Sequence, residues 1–74
     1  MEFVVVRYAQ ERDVYIDGNV SGKTGDTLMV EEGTHIFDLG NPKDYVPESQ
    51  EKVVQGTTVT TPLVLEFSAK EDEA

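Results

Sequence analysis

The sequence predicts an all-β fold: a small antiparallel two-sheet sandwich of about six or seven short strands, with a small open β-barrel as the runner-up. Three observations carry this. Eleven valines and seven threonines make 18 of the 74 residues β-branched even before Ile16 and Ile36 are added. Such side chains are stiff at χ1 and suit a pleated strand better than a helix. Apolar and polar residues alternate with period 2, while no window of about 11 residues shows a helical stripe. Turn-forming residues recur at roughly 8–12-residue spacing, as in small sandwiches.

The first strand is expected over Glu2–Tyr8, with Phe3 and Val5 on one face and Val4, Val6 and Tyr8 on the other. Asp13–Asp17 alternates next, Val14 and Ile16 pointing one way and Tyr15 the other. Asp17-Gly18-Asn19 supplies turn residues that tolerate positive φ. Gly22, Gly25 and Asp26 break up the next stretch, which reads as a loop or a bulged edge.

Thr27–Leu39 reads as a hairpin turning at Glu32-Gly33. That register pairs Val30 with His35, Met29 with Ile36 and Leu28 with Phe37. Pro42 then stops the strand by fixing its own φ and restricting Asn41. Lys43–Gln50 is a polar connection anchored by Tyr45 and Val46. A second hairpin is expected from Glu51–Gln55 through Gly56-Thr57 to Thr58–Phe67, with Pro62 marking an edge or a bulge. The expected core is Val14, Ile16, Leu28, Val30, Phe37, Leu39, Val59, Leu63, Leu65 and Phe67. The chain divides into one domain over residues 1–67 and an acidic tail, 68–74, expected to be disordered.

Composition narrows the function classes. Lys plus Arg number 6 against 15 Asp plus Glu, a net charge of −9. An acidic surface argues against nucleic acid or an anionic membrane as partner, since both demand basic side chains. With no cysteine, neither disulfides nor Cys-type zinc sites are available. No apolar run approaches the roughly 18 residues of a membrane-spanning helix, and Met1–Tyr8 lacks the pattern of a signal peptide. The chain as given therefore reads as cytoplasmic, or as envelope-associated if it is excised from a longer protein.

Several landmarks occur in a familiar order: Val14-Tyr15-Ile16-Asp17-Gly18, Gly22-Lys23-Thr24, Val30-Glu31-Glu32-Gly33-Thr34-His35, then Gly40 and Tyr45. Over residues 3 to 67 the chain resembles the PEGA domain, as a divergent member. The tetrapeptide that names that family would fall on Ala9-Gln10-Glu11-Arg12, where no letter matches. Gly25 stands in place of its proline, and Asn41–Asp44 separates the Gly–Tyr pair. The resemblance implies a small prealbumin-like β-sandwich, used as an accessory module in bacterial and archaeal surface, envelope and signalling proteins. It implies no catalytic residue.

Chemistry-bearing motifs are sparse. Gly18–Thr24 looks like a phosphate-binding loop, but has three residues between its glycines where the motif needs four, and strand rather than helix comes after it. Asp13, Asp17, Asp26, Glu31 and Glu32 lack calcium-loop spacing. Asn19-Val20-Ser21 spells a glycosylation sequon, and Asn41–Tyr45 a peptide-docking motif better read as a turn. His35 is the only histidine, expected at the sheet margin and bonded through one nitrogen. No catalytic residue, cofactor or metal site is expected. The expected interaction patch is Tyr15, Met29 and Ile36, three large apolar side chains on a solvent face. These readings favour a non-catalytic interaction or structural module, monomeric or weakly dimeric, meeting a protein partner or neighbouring domain by this patch or by strand addition. The alternative is a small-ligand or glycan-binding module using Tyr15 and Tyr45 with nearby carboxylates.

Overall fold

The computed structural model describes residues 1–41 and 44–69. These residues contain no helix and form nine strands: β1 (Glu2–Arg7), β2 (Asp13–Ile16), β3 (Asn19–Lys23), β4 (Thr27–Val30), β5 (Gly33–Asp38), β6 (Tyr45–Val46), β7 (Gln50–Val54), β8 (Leu63–Glu66) and β9 (Ser68–Ala69). One sheet has the order β4-β1-β8, a second β3-β2-β5-β7, and β6 and β9 form a two-stranded ribbon. The sheets are open, so the chain is a layered all-β fold and not a closed barrel. All pairings are antiparallel except β1 with β8, which is parallel.

Most of the expected strands are present, but the last begins only at Leu63 and not at Thr58, the expected polar connection holds the short β6, and the strands number nine where six or seven were expected. Consecutive strands also pair less often than their spacing suggests. Thr27–Leu39 is not a hairpin. β4 pairs with β1, Met29 opposite Phe3, whereas β5 pairs with β2 and β7 in the other sheet. Glu31-Glu32 is thus a corner that carries the chain from one sheet to the other. The second expected hairpin is absent too: β7 and β8 belong to different sheets. Hydrogen bonds hold the loop between them. Thr57 accepts from the Phe3 amide at 2.7 Å, and it donates its hydroxyl at 2.6 Å and its amide at 2.9 Å to the Glu2 carboxylate. β3 is the expected bulged edge, its register shifting between Val14 and Tyr15.

The core is Val4, Val6, Val14, Ile16, Leu28, Val30, Phe37, Leu39, Tyr45, Val54, Leu65 and Phe67. Eight expected core residues are in it, and Leu63 packs at its margin. Val59 is not: it lies outside any strand and is 64% exposed. Val4 and Val6 are buried because β1 is the central strand of its sheet. Ser68 and Ala69, assigned to the tail from sequence, pair with Val46 and Tyr45. The rest of that tail, 70–74, and Pro42 and Lys43 lie outside the described residues.

Tyr45 is fully buried. Its hydroxyl accepts from the Leu39 amide at 3.1 Å and donates to the Gly40 carbonyl at 2.7 Å. A tyrosine that bonds back to the backbone a few residues upstream is a known device for pinning a sandwich corner. Arg12 completes this end. Its guanidinium lies 5.8 Å from the Tyr8 ring centre and 5.1 Å from that of Tyr45, donates to the Leu39 carbonyl and pairs with Asp44.

Candidate interaction surface

The expected patch is divided by the topology. Leu28 and Val30 face the core from the three-stranded sheet, so Met29, 64% exposed, projects from that sheet's outer side. Phe37 faces the core from the four-stranded sheet, so Ile36, 45% exposed, projects from the opposite side of the sandwich. Tyr15 lies on the Ile36 side, since its neighbours Val14 and Ile16 are buried and its cross-strand partner is Asp38. The structure brings Tyr15 and Ile36 together and separates Met29 from both.

Two further apolar residues join Tyr15 and Ile36. Val20 on β3 stands opposite Tyr15 and is 57% exposed. Val53 on β7 stands opposite Thr34, two positions from Ile36 on the same face, and is 59% exposed. Directly opposed residues share a face, and diagonal neighbours are within reach of long side chains. Val20, Tyr15, Ile36 and Val53 therefore form a diagonal across all four strands. Val20 falls in a stretch that reads as a loop or a bulged edge, with no face assigned, and the pairing of β7 with β5 has no short-range signal, so the sequence points to neither on this face.

The rim is acidic. Glu51 stands opposite Ile36 and is exposed, and Asp38 stands opposite Tyr15. Asp13 is balanced by Lys23 at 2.7 Å, which also raises the lysine pKa through the hydrogen bond to the carboxylate. Tyr15 is held in place by Gly40, whose missing side chain leaves the space its ring fills: a Cβ there would collide with the ring.

At the corner of the same sheet His35, with a side chain 14% exposed, bonds through both ring nitrogens. Nδ1 meets the Asp17 carboxylate at 2.6 Å and Nε2 meets the Glu31 carbonyl at 2.6 Å. The sequence-based expectation of one bonded nitrogen is thereby corrected, as is its pairing with Val30: His35 stands opposite Lys52. The bond to Asp17 and that to the Glu31 carbonyl raise the histidine pKa, and the same contact lowers that of Asp17. Asp17 is at φ 53°, which an aspartate tolerates in a turn, and also accepts the Ile36 amide at 3.0 Å.

The glycan reading loses one of its two aromatic platforms, because Tyr45 is buried and its hydroxyl is occupied. Two shallow concavities share Arg7, Tyr8 and Ala9, and neither is lined by Tyr15 or Tyr45. Among the described residues no three His, Asp or Glu side chains converge to hold a metal, and no helix is long and apolar enough to cross a membrane. No protein-family model matches the chain, and no curated protein and no solved structure matches it.

Proposed function

We propose that the chain is a non-catalytic interaction module that docks a protein partner or neighbouring domain on the outer face of its four-stranded sheet. The observation that carries this is the Val20–Tyr15–Ile36–Val53 diagonal, apolar on every strand where threonine or lysine would serve the fold equally well. Asp38 and Glu51 beside it, within a net charge of −9, favour a partner segment that combines apolar and basic side chains. The same charge opposes pairing with a second copy. The resemblance to the PEGA domain supports an accessory role in a prokaryotic envelope or signalling protein.

The test is an NMR titration of the isotope-labelled chain with a basic amphipathic peptide, alongside its acid-substituted counterpart. The basic peptide should shift the amides of Val20, Tyr15, Ile36 and Val53, and Ile36→Lys should abolish the response while Met29→Lys leaves it intact. Equal response to both peptides, or shifts centred on Met29, would overturn the reading.

A further inference from the structure

We propose that His35 is held as an imidazolium that latches the β4–β5 corner onto the β2–β3 turn, and that loss of its proton releases this corner, making it a pH-sensitive element of the fold. The geometry requires two donors on one ring. Nδ1 and Nε2 each lie 2.6 Å from an oxygen that can only accept: a carboxylate oxygen of Asp17 and the backbone carbonyl of Glu31. Asp17 is not the donor, because its other oxygen accepts the Ile36 amide and both contacts favour the carboxylate. A neutral imidazole carries one N–H. Its second nitrogen would then present a lone pair to an oxygen lone pair, so one of the two bonds must open.

The two bonds link three elements through one ring, the Asp17 bond across 18 residues and the Glu31 bond across four. Asp17 belongs to the turn after β2, Glu31 to the crossover between sheets, and His35 to β5. Asp17 is further tied to β5 by its own amide, which donates to the Ile36 carbonyl at 2.8 Å. The Nε2 bond to Glu31 is therefore the one whose loss frees the corner. The charged groups that act on or oppose the ring are Asp17 from the turn, Glu31 from the crossover, and Lys52 opposite on β7. The two acidic residues favour the charged ring. Lys52 is exposed and its opposition is screened.

Since the folded-state pKa of His35 is raised, its contribution is complete below the ordinary histidine value of about 6.5 and is lost as pH rises through the higher folded value. Asp17 is lowered, so its contribution is present above about 3.9 and lost as pH falls through the lower folded value. The latch is fully closed from about pH 4 to pH 6.5 and opens on the alkaline side.

His35 is the only histidine, so its imidazole nitrogen signals in the labelled full chain are unambiguous. Their titration should show both nitrogens protonated at about pH 6.5, with a midpoint above that value, and the amides of Glu32, Gly33 and Ile36 should shift with the same midpoint. Asp17→Asn should move the midpoint down. A neutral single-tautomer ring at about pH 6.5, amides that do not track the ring, or a midpoint unmoved by Asp17→Asn would each overturn the proposal. His35→Gln should remove the alkaline loss of corner protection in hydrogen exchange. If that variant fails to fold, the wild-type and Asp17→Asn titrations still decide.

Discussion

The hydroxyl of Tyr45 donates to the Gly40 carbonyl at 2.7 Å while accepting from the Leu39 amide, so one buried side chain satisfies two backbone groups at the exit of β5. Its ring also meets Phe67 edge-on at 5.5 Å. Tyr45→Phe keeps the ring and removes the partner of the buried Leu39 amide and of the partly buried Gly40 carbonyl. It should cost about 1–3 kcal/mol, read as a lower urea midpoint with an unchanged slope.

Phe37 is fully buried at the centre of the four-stranded sheet. Phe37→Ala should cost about 3–5 kcal/mol through lost transfer energy and the cavity left behind. A 74-residue domain has little more than that to lose, so circular dichroism should show a largely unfolded chain at room temperature. Val59→Ala, at an exposed position outside the strands, should stay within about 0.5 kcal/mol of the parent.

Met29 and Ile36 offer a paired comparison, because both are exposed and they lie on opposite sides of the sandwich. Met29→Lys and Ile36→Lys should each change stability by less than about 1 kcal/mol in thermal melts. Only the second should weaken binding of a basic amphipathic peptide, measured by calorimetry.

Arg12 uses both its charge and its planarity, lying against the Tyr8 and Tyr45 rings while bonding Leu39 and Asp44. Lysine cannot reproduce a planar fork of donors between two rings. Arg12→Lys should therefore lower the urea midpoint by the equivalent of about 1–2 kcal/mol, even though the charge is retained.

With 15 acidic and 6 basic side chains, the folded chain concentrates like charge. Salt should raise the thermal midpoint, because ions at about 0.1 M screen charges separated by more than about 10 Å. Differential scanning calorimetry across a salt series checks this. A midpoint that does not rise means the charges are already balanced locally.

Alternation along β2, β4 and β5 is enough to say which side chains turn inward, whereas along β1, apolar on both faces, it does not single out the buried Val4 and Val6, and it wrongly turns Val59 inward. Val14 and Ile16, Leu28 and Val30, and Phe37 and Leu39 are buried as their spacing requires, and Tyr15, Met29 and Ile36 point outward. What alternation does not contain is the identity of the neighbouring strand. Leu28, Val30 and Phe37 reach the same core whether Glu31-Glu32 closes a hairpin or carries the chain across to the facing sheet, because a sandwich core has two inner faces that accept the same residues. Only the tertiary structure decides between them. By choosing the crossover it moves Met29 away from Ile36, assembles Val20, Tyr15, Ile36 and Val53 instead, and brings Asp17 and the Glu31 carbonyl to the two nitrogens of His35. The Tyr15–Ile36, Ile36–Val53 and Asp17–His35 relationships join residues distant in sequence and are set by the order of strands in the sheet, for which no short segment carries a signal.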